Sequence, residues 1–96
     1  MRVFAFREIH AAYAHSQAGG QALHLHGLHG GRAPYCQYPV LGHLLDQDLV
    51  RLIQTAQDLG LRRFMVEDED THRQHIDLYG DSLARVLAKV DLCGSV

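Results

Sequence analysis

The chain has 96 residues, of which 47% are hydrophobic and 21% are charged. This is the composition of one small globular domain, and it excludes a disordered tail. The net charge is −2 and the nine basic residues are scattered, which argues against a nucleic-acid binder that neutralises phosphates. Cys36 and Cys93 form no Cys-x-x-Cys motif, and no secretory signal or membrane span can be read. We therefore expect a cytoplasmic protein with no nucleic-acid and no membrane partner.

The N-terminal third contains two strand patterns separated by a stretch of helical composition. Residues 3–6 form a short apolar run that is typical of a buried strand. Residues 7–18 are rich in alanine, and Gly19 and Gly20 end that stretch whether it is a helix or a loop. Residues 21–28 alternate, which predicts a half-buried strand with its leucines inward and its histidines outward.

The clearest structural signal is an amphipathic helix over residues 46–60. Asp46 is expected to cap its first turn, and Leu45 and Val50 are placed to form a hydrophobic staple. Gly60 is placed to adopt the left-handed conformation that ends a helix. Apolar residues recur at the spacing of one helical face, namely Leu49, Leu52, Ile53, Ala56 and Leu59.

The C-terminal third predicts two more strands and a second amphipathic helix. Residues 62–66 include a continuous apolar run, and residues 67–70 are four consecutive acids that suit a solvated connection. Residues 74–78 alternate, with Ile76 and Leu78 on one face and His75 and Asp77 on the other. A final helix begins near Asp81 or Ser82 and presents an apolar stripe, namely Leu83, Val86, Leu87 and Val90.

These patterns predict a single α/β domain over residues 1–96. The expected architecture is a small sandwich of about four short strands in a mixed sheet, with two to three helices packed on it. The helix over residues 46–60 is expected to connect the strand near Leu23 to the strand near Phe64 as a right-handed parallel crossover.

The first candidate for chemistry is the histidine group His24, His26 and His29. A His-x-His pair on a strand points both imidazoles to one face, which is how two nitrogens approach one zinc ion. His29 follows closely enough to supply a third ligand. The alternative is a solvated strand face, because polar residues on an alternating strand have the same pattern.

The second candidate group is His75 and Asp77, which share a strand face, together with His72 and the acidic run. The imidazoles suit zinc, iron or nickel, and the carboxylates suit magnesium or manganese. If the strands of His24 and His75 are neighbours, both groups form one mixed site. A solvated acidic loop is the alternative.

Three functions follow as hypotheses. The favoured one is a binding protein, assembled as a homo-oligomer, with a divalent metal, most plausibly zinc, at His24, His26, His29, His75 and Asp77. A second is a metal-free protein-interaction or oligomerisation module that uses either the loop around Tyr35 and Tyr38 or an exposed apolar helix face. A third is a metal-dependent hydrolase of phosphoesters or small amides. No nucleophile elbow and no phosphate-binding glycine motif is present.

The C-terminal half also resembles a small bacterial family of unknown function. The resemblance lies in His43-Leu44, in Leu59-Gly60-Leu61 and in His75-Ile76-Asp77-Leu78, which is similar to the family's His-Tyr-Asp-Leu motif. Gly42 and Ile76 stand where the family has serine and tyrosine, and the first strand lacks the family's aspartate. The resemblance implies that His43, His75 and Asp77 belong to one site, and it implies no activity.

Overall fold

The computed structural model describes residues 1–26 and 41–89, and these residues form four strands and three α-helices. His29, Tyr35, Cys36, Tyr38, Val90 and Cys93 therefore lie outside the described residues. In chain order the elements are β1 (Arg2–Phe4), a 3-10 turn (Phe6–Glu8), α1 (Ile9–Gln17), β2 (Gln21–His26), β3 (Leu41–Asp46), α2 (Leu49–Asp58), β4 (His75–Leu78) and α3 (Gly80–Lys89).

The four strands form one mixed sheet in the order β1-β2-β3-β4. β1 is parallel to β2, and the other two pairs are antiparallel. The α/β class and the mixed sheet with packed helices are thus confirmed. No helix in the described part of the chain is long and apolar enough to cross a membrane.

The two faces of the sheet are covered very differently. One face carries the main core, in which the leucines of the central strands pack against the apolar stripes of α2 and α3. The other face carries a small second core around Phe4, Ala22 and Leu45, and Ala12 of α1 packs on it. Because α1 is short and its buried side chains are small, the polar residues at the far end of this second face are left partly uncovered.

The central helix begins later than the sequence predicts. Asp48, not Asp46, accepts from the backbone N–H of Arg51 and caps α2. The predicted staple is also wrong, because Leu45 is buried in β3 while Val50 is 78% exposed. The end of the helix is confirmed: Gly60 has a φ of +86°, and the N–H of Leu61 donates to the carbonyl of Ala56 at 3.1 Å.

Two further predictions about the strands are wrong. Residues 41–46, for which the sequence pattern predicts no strand and of which Asp46 is the expected helix cap, form strand β3 in the middle of the sheet. Residues 62–66 form no strand. Phe64 and Val66 pack on the core, whereas Met65 is exposed. This segment pairs with β4 only through the single bridge between Glu67 and His75. The central helix therefore connects the antiparallel strands β3 and β4, and among the strands of residues 1–26 and 41–89 only β1 and β2 form a parallel pair.

Asp46 lies at the end of β3 with its side chain fully buried. Arg51 donates from Nε and Nη2 to its two oxygens at 2.7 Å each, which holds the carboxylate in a bidentate pair and raises the pKa of Arg51. Gln21 of β2 and the N–H of Asp48 supply two more donors at 3.0 and 2.9 Å. The buried charge is thus fully satisfied, as a buried carboxylate must be.

We expect Asp46→Asn to lower the free energy of unfolding by about 3 kcal/mol, because an NH2 group replaces one of the two accepting oxygens, so two of the four donors lose their acceptor and Arg51 loses its negative partner. The matched control is Asp58→Asn on the exposed surface of α2, which should change stability by no more than about 0.5 kcal/mol. Urea unfolding followed by circular dichroism measures both. Equal stability of the two variants would contradict the role given to Asp46.

Candidate metal centre

The partly uncovered sheet face carries a row of polar side chains that runs across the strands. Side chains alternate between the faces of a strand, so residues paired between strands share a face. The register pairs Phe4 with His24, His24 with His43, and His43 with Asp77. His26 lies on the same face two residues after His24 in β2, and His75 lies there two residues before Asp77 in β4. Three histidines from the two neighbouring strands, namely His24, His26 and His75, therefore surround His43.

His24 is buried, which corrects the prediction that the histidines of β2 face solvent. Its exposed fraction is 1%, because the 3-10 turn at Phe6–Glu8 covers it. Nε2–H donates to the carbonyl oxygen of Phe6 at 2.9 Å, and Nδ1 has no hydrogen-bond partner among the described residues. Burial lowers the pKa of His24, so this imidazole is neutral at neutral pH.

His26 is exposed, and its ring packs edge-on against the ring of Phe6 at 4.9 Å between centroids. The rings of His24 and His26 are 6.2 Å apart, whereas His26 lies 5.4 Å from the ring of His43. The pair His24/His26 is thus split between a buried position and the rim of the face. β3 separates the strand of His24 from the strand of His75, so the two predicted groups are joined only through His43.

His43, His75 and Asp77 form the tightest cluster on this face. Nδ1 of His43 lies 2.7 Å from Oδ1 of Asp77, and Nε2 of His75 lies 3.2 Å from the same oxygen. The rings of the two histidines meet edge-on at 4.8 Å. The three side chains are between 14% and 37% exposed, so the cluster is sheltered but can be reached from solvent.

One hydrogen bond of His75 fixes its tautomer. Its Nδ1 lies 2.6 Å from the carbonyl oxygen of Arg73, and a carbonyl only accepts, so Nδ1 carries a proton. Nε2, which lies 3.2 Å from Oδ1 of Asp77, is then the nitrogen of His75 that is left to bind a metal ion beside the carboxylate.

The pKa of His43 reflects two opposing effects. Burial, the larger one, disfavours the imidazolium and lowers the pKa, whereas the hydrogen bond to Asp77 raises it. The net direction is down. His43 is therefore neutral at neutral pH and has one nitrogen lone pair to offer.

The donor set fits a divalent metal. One ligand atom from each of His43, His75 and Asp77 can be chosen so that all lie within 4.8 Å of one another. Ligands held at about 2.0–2.1 Å around a tetrahedral ion are roughly 3.3 Å apart, close to the 3.2 Å between His75 and Asp77. The backbone carbonyl that fixes the His75 tautomer is a typical outer partner of a metal-bound histidine. Two imidazoles and one carboxylate suit zinc, and a fourth position stays open.

The cluster borders two cavities that described residues line. The smaller measures about 210 Å³ and contains His43 and His75 in its wall; its other polar lining residues are Tyr13, His26, Asp68 and Arg73. The larger is an open groove of about 490 Å³ along residues 61–67 and the end of β4, and of the cluster it contains only Asp77. The smaller cavity is thus the one that both imidazoles line.

The remaining predicted residues lie around this cluster. His72 is exposed and its ring stacks edge-on against Tyr13 at 5.4 Å. In the acidic run, Asp68 lines the smaller cavity, Glu67 pairs with His75 through the backbone, and residues 68–70 are exposed. The alternation of residues 74–78 correctly puts His75 and Asp77 on one face. No alternating pattern in residues 41–46 indicated His43 as a site residue. Only the resemblance to the bacterial family predicted it.

No family model, no curated protein and no solved structure matches the chain. The resemblance to the bacterial family therefore stays a prediction. The chemistry of the cluster rests on its own geometry.

We expect Asp77→Asn to lower the pKa of His43 further, because the charged hydrogen-bond partner that opposes the effect of burial is lost. The measurement is a proton NMR titration of the His43 ring in chelator-treated protein. Asp58→Asn is the control and should leave the titration unchanged. A His43 pKa that rises in the Asp77 variant would contradict the assignment.

We also expect stability to fall in mild acid. The folded protein holds His24 and His43 with pKa values below the ordinary 6.5, so below that pH the unfolded chain binds more protons. This stability is complete above pH 6.5 and is lost as the pH falls towards the folded pKa values. Urea unfolding at about pH 7 and about pH 5.5 measures the loss, and His24→Gln should reduce it. A pH dependence that this variant leaves intact would argue against His24 as a source.

Proposed function

We propose that the protein binds one divalent metal ion, most plausibly zinc, through His43, His75 and Asp77. The observation that carries the proposal is the contact of two imidazoles with one carboxylate oxygen, at 2.7 and 3.2 Å, with the His75 tautomer fixed by the Arg73 carbonyl. A divalent ion beside this carboxylate oxygen would take the free Nε2 of His75 and the lone pair of the neutral His43 as its nitrogen ligands.

The proposal differs from the sequence-based group in its composition. His75 and Asp77 are common to both, and His43 replaces the pair His24/His26 as the source of the second imidazole. His24 is buried beneath Phe6 and already donates to its carbonyl, while His26 stands at the rim. Metal binding that depends on His24 or His26 would favour the sequence-based group.

We expect the untagged protein to bind close to one zinc or cobalt ion per chain. Replacing His43, His75 or Asp77 by alanine should weaken binding by at least about 100-fold, since removing a ligand costs more than removing its outer partner. Isothermal titration calorimetry and native mass spectrometry measure affinity and stoichiometry. His10→Ala, which removes an exposed imidazole of α1, is the matched control and should bind like the parent.

The double variant His24→Ala/His26→Ala separates the two ligand groups. Retained binding supports the proposed set, and lost binding in a folded variant supports the sequence-based one. If all three ligand variants bind the metal with the affinity of the parent, the proposed metal site is wrong. Circular dichroism of each variant distinguishes a lost ligand from a lost fold.

The other hypotheses stay predictions. The homo-oligomer, the protein partner and the cytoplasmic location rest on the sequence patterns alone, and the loop of Tyr35 and Tyr38 lies outside the described residues. The metal-dependent hydrolase would use the same three ligands. This hypothesis therefore requires that the metal site exists and, in addition, that the metal-loaded protein turns over a substrate.

A further inference from the structure

The cavity of about 210 Å³ beside His43 and His75 contains two charged groups besides the cluster, Arg73 and Asp68. Arg73 is the notable one, because within the described residues its guanidinium forms no ion pair. It lies over the ring of Tyr13, with Cζ 5.7 Å from the ring centroid. A guanidinium stacked on an aromatic ring keeps its N–H groups available at the edge for another acceptor.

A bound metal makes the surroundings of the cavity positive. The charges of Arg73 and Asp68 in its wall are of opposite sign. A divalent ion at the cluster would add two positive charges, and the neighbouring Asp77 adds one negative charge, so positive charge is in excess. The occupied site then attracts a negative ligand.

The size and the donors of the cavity define the ligand. About 210 Å³ is below the roughly 300–1,000 Å³ of a pocket for drug-sized molecules. A metal with three protein ligands keeps an open position, and Arg73 offers a planar fork that matches a carboxylate or phosphate group. The hydroxyl of Tyr13 and the ring of His26 add hydrogen-bonding groups on the same wall.

We propose that the metal site takes a small oxyanion, with one oxygen on the metal and another on the guanidinium of Arg73. This inference rests on the proposed metal site. Arg73 thereby has two separate roles, since its backbone carbonyl orients His75 while its side chain binds the anion. A substitution at Arg73 changes only the second role, because every residue except proline keeps the same backbone groups.

The test uses cobalt-loaded protein, whose visible absorption reports on the ligands of the metal, and acetate as the oxyanion. We expect acetate to shift the cobalt spectrum with saturation, and acetamide, which has the same shape and no charge, to do so at least about tenfold more weakly. Arg73→Gln should weaken acetate binding about tenfold and leave cobalt affinity unchanged. Arg73→Lys should restore part of the loss, because it keeps the charge without the fork.

The control variant is Arg62→Gln, which removes an exposed arginine outside the cavity and should bind acetate like the parent. Three outcomes would each overturn the oxyanion site without affecting the metal site. They are a cobalt-loaded protein that does not respond to acetate, a response to acetamide equal to that to acetate, and an Arg73→Gln variant that binds acetate like the parent. Failure of the parent to bind cobalt would overturn both.

Discussion

The buried carboxylate of Asp46 is the interaction on which the rest of the structure depends. It joins the end of β3 to the start of α2 through Arg51, and to β2 through Gln21. Arg51 also donates to the carbonyl of Gly19 at 2.9 Å, which ties in the turn between α1 and β2. A buried charge tolerates little displacement from its donors. These contacts therefore favour a single register between β2 and β3, the one that places His24 opposite His43.

That register decides the chemistry of the uncovered face. A shift of β3 by one residue would send His43 into the leucine core and bring Leu44 to the polar face. Gly42 marks how closely the core face is packed, since a Cβ there would come within 2.9 Å of side-chain atoms of both Leu23 and Leu83. The apolar face thus holds β3 in place, and the opposite face receives His43 at its centre.

Much of the fold could be predicted from local patterns, because burial of one face imposes a period on the sequence. The stripes of α2 and α3 and the alternation around Ile76 gave the correct faces. β3 was missed because Asp46 and Asp48 are equally good helix caps by residue type. The choice between them depends on Arg51 and on Gln21, the latter 25 positions away in the chain. The position of His43 beside His75 and Asp77 is likewise non-local. It depends on the order in which the strands pair, and no local pattern in the sequence reveals that order.

The geometry of His75 connects metal binding to protons. Its Nδ1–H is committed to the Arg73 carbonyl, so Nε2, 3.2 Å from Oδ1 of Asp77, is the nitrogen that is left for the proposed metal ion. The neutral form of His43, favoured by burial, offers a second nitrogen. A nitrogen that carries a proton cannot bind a metal, so the proposed ion competes with protons for both imidazoles. Metal binding of this kind strengthens as the pH rises through the range in which histidine titrates.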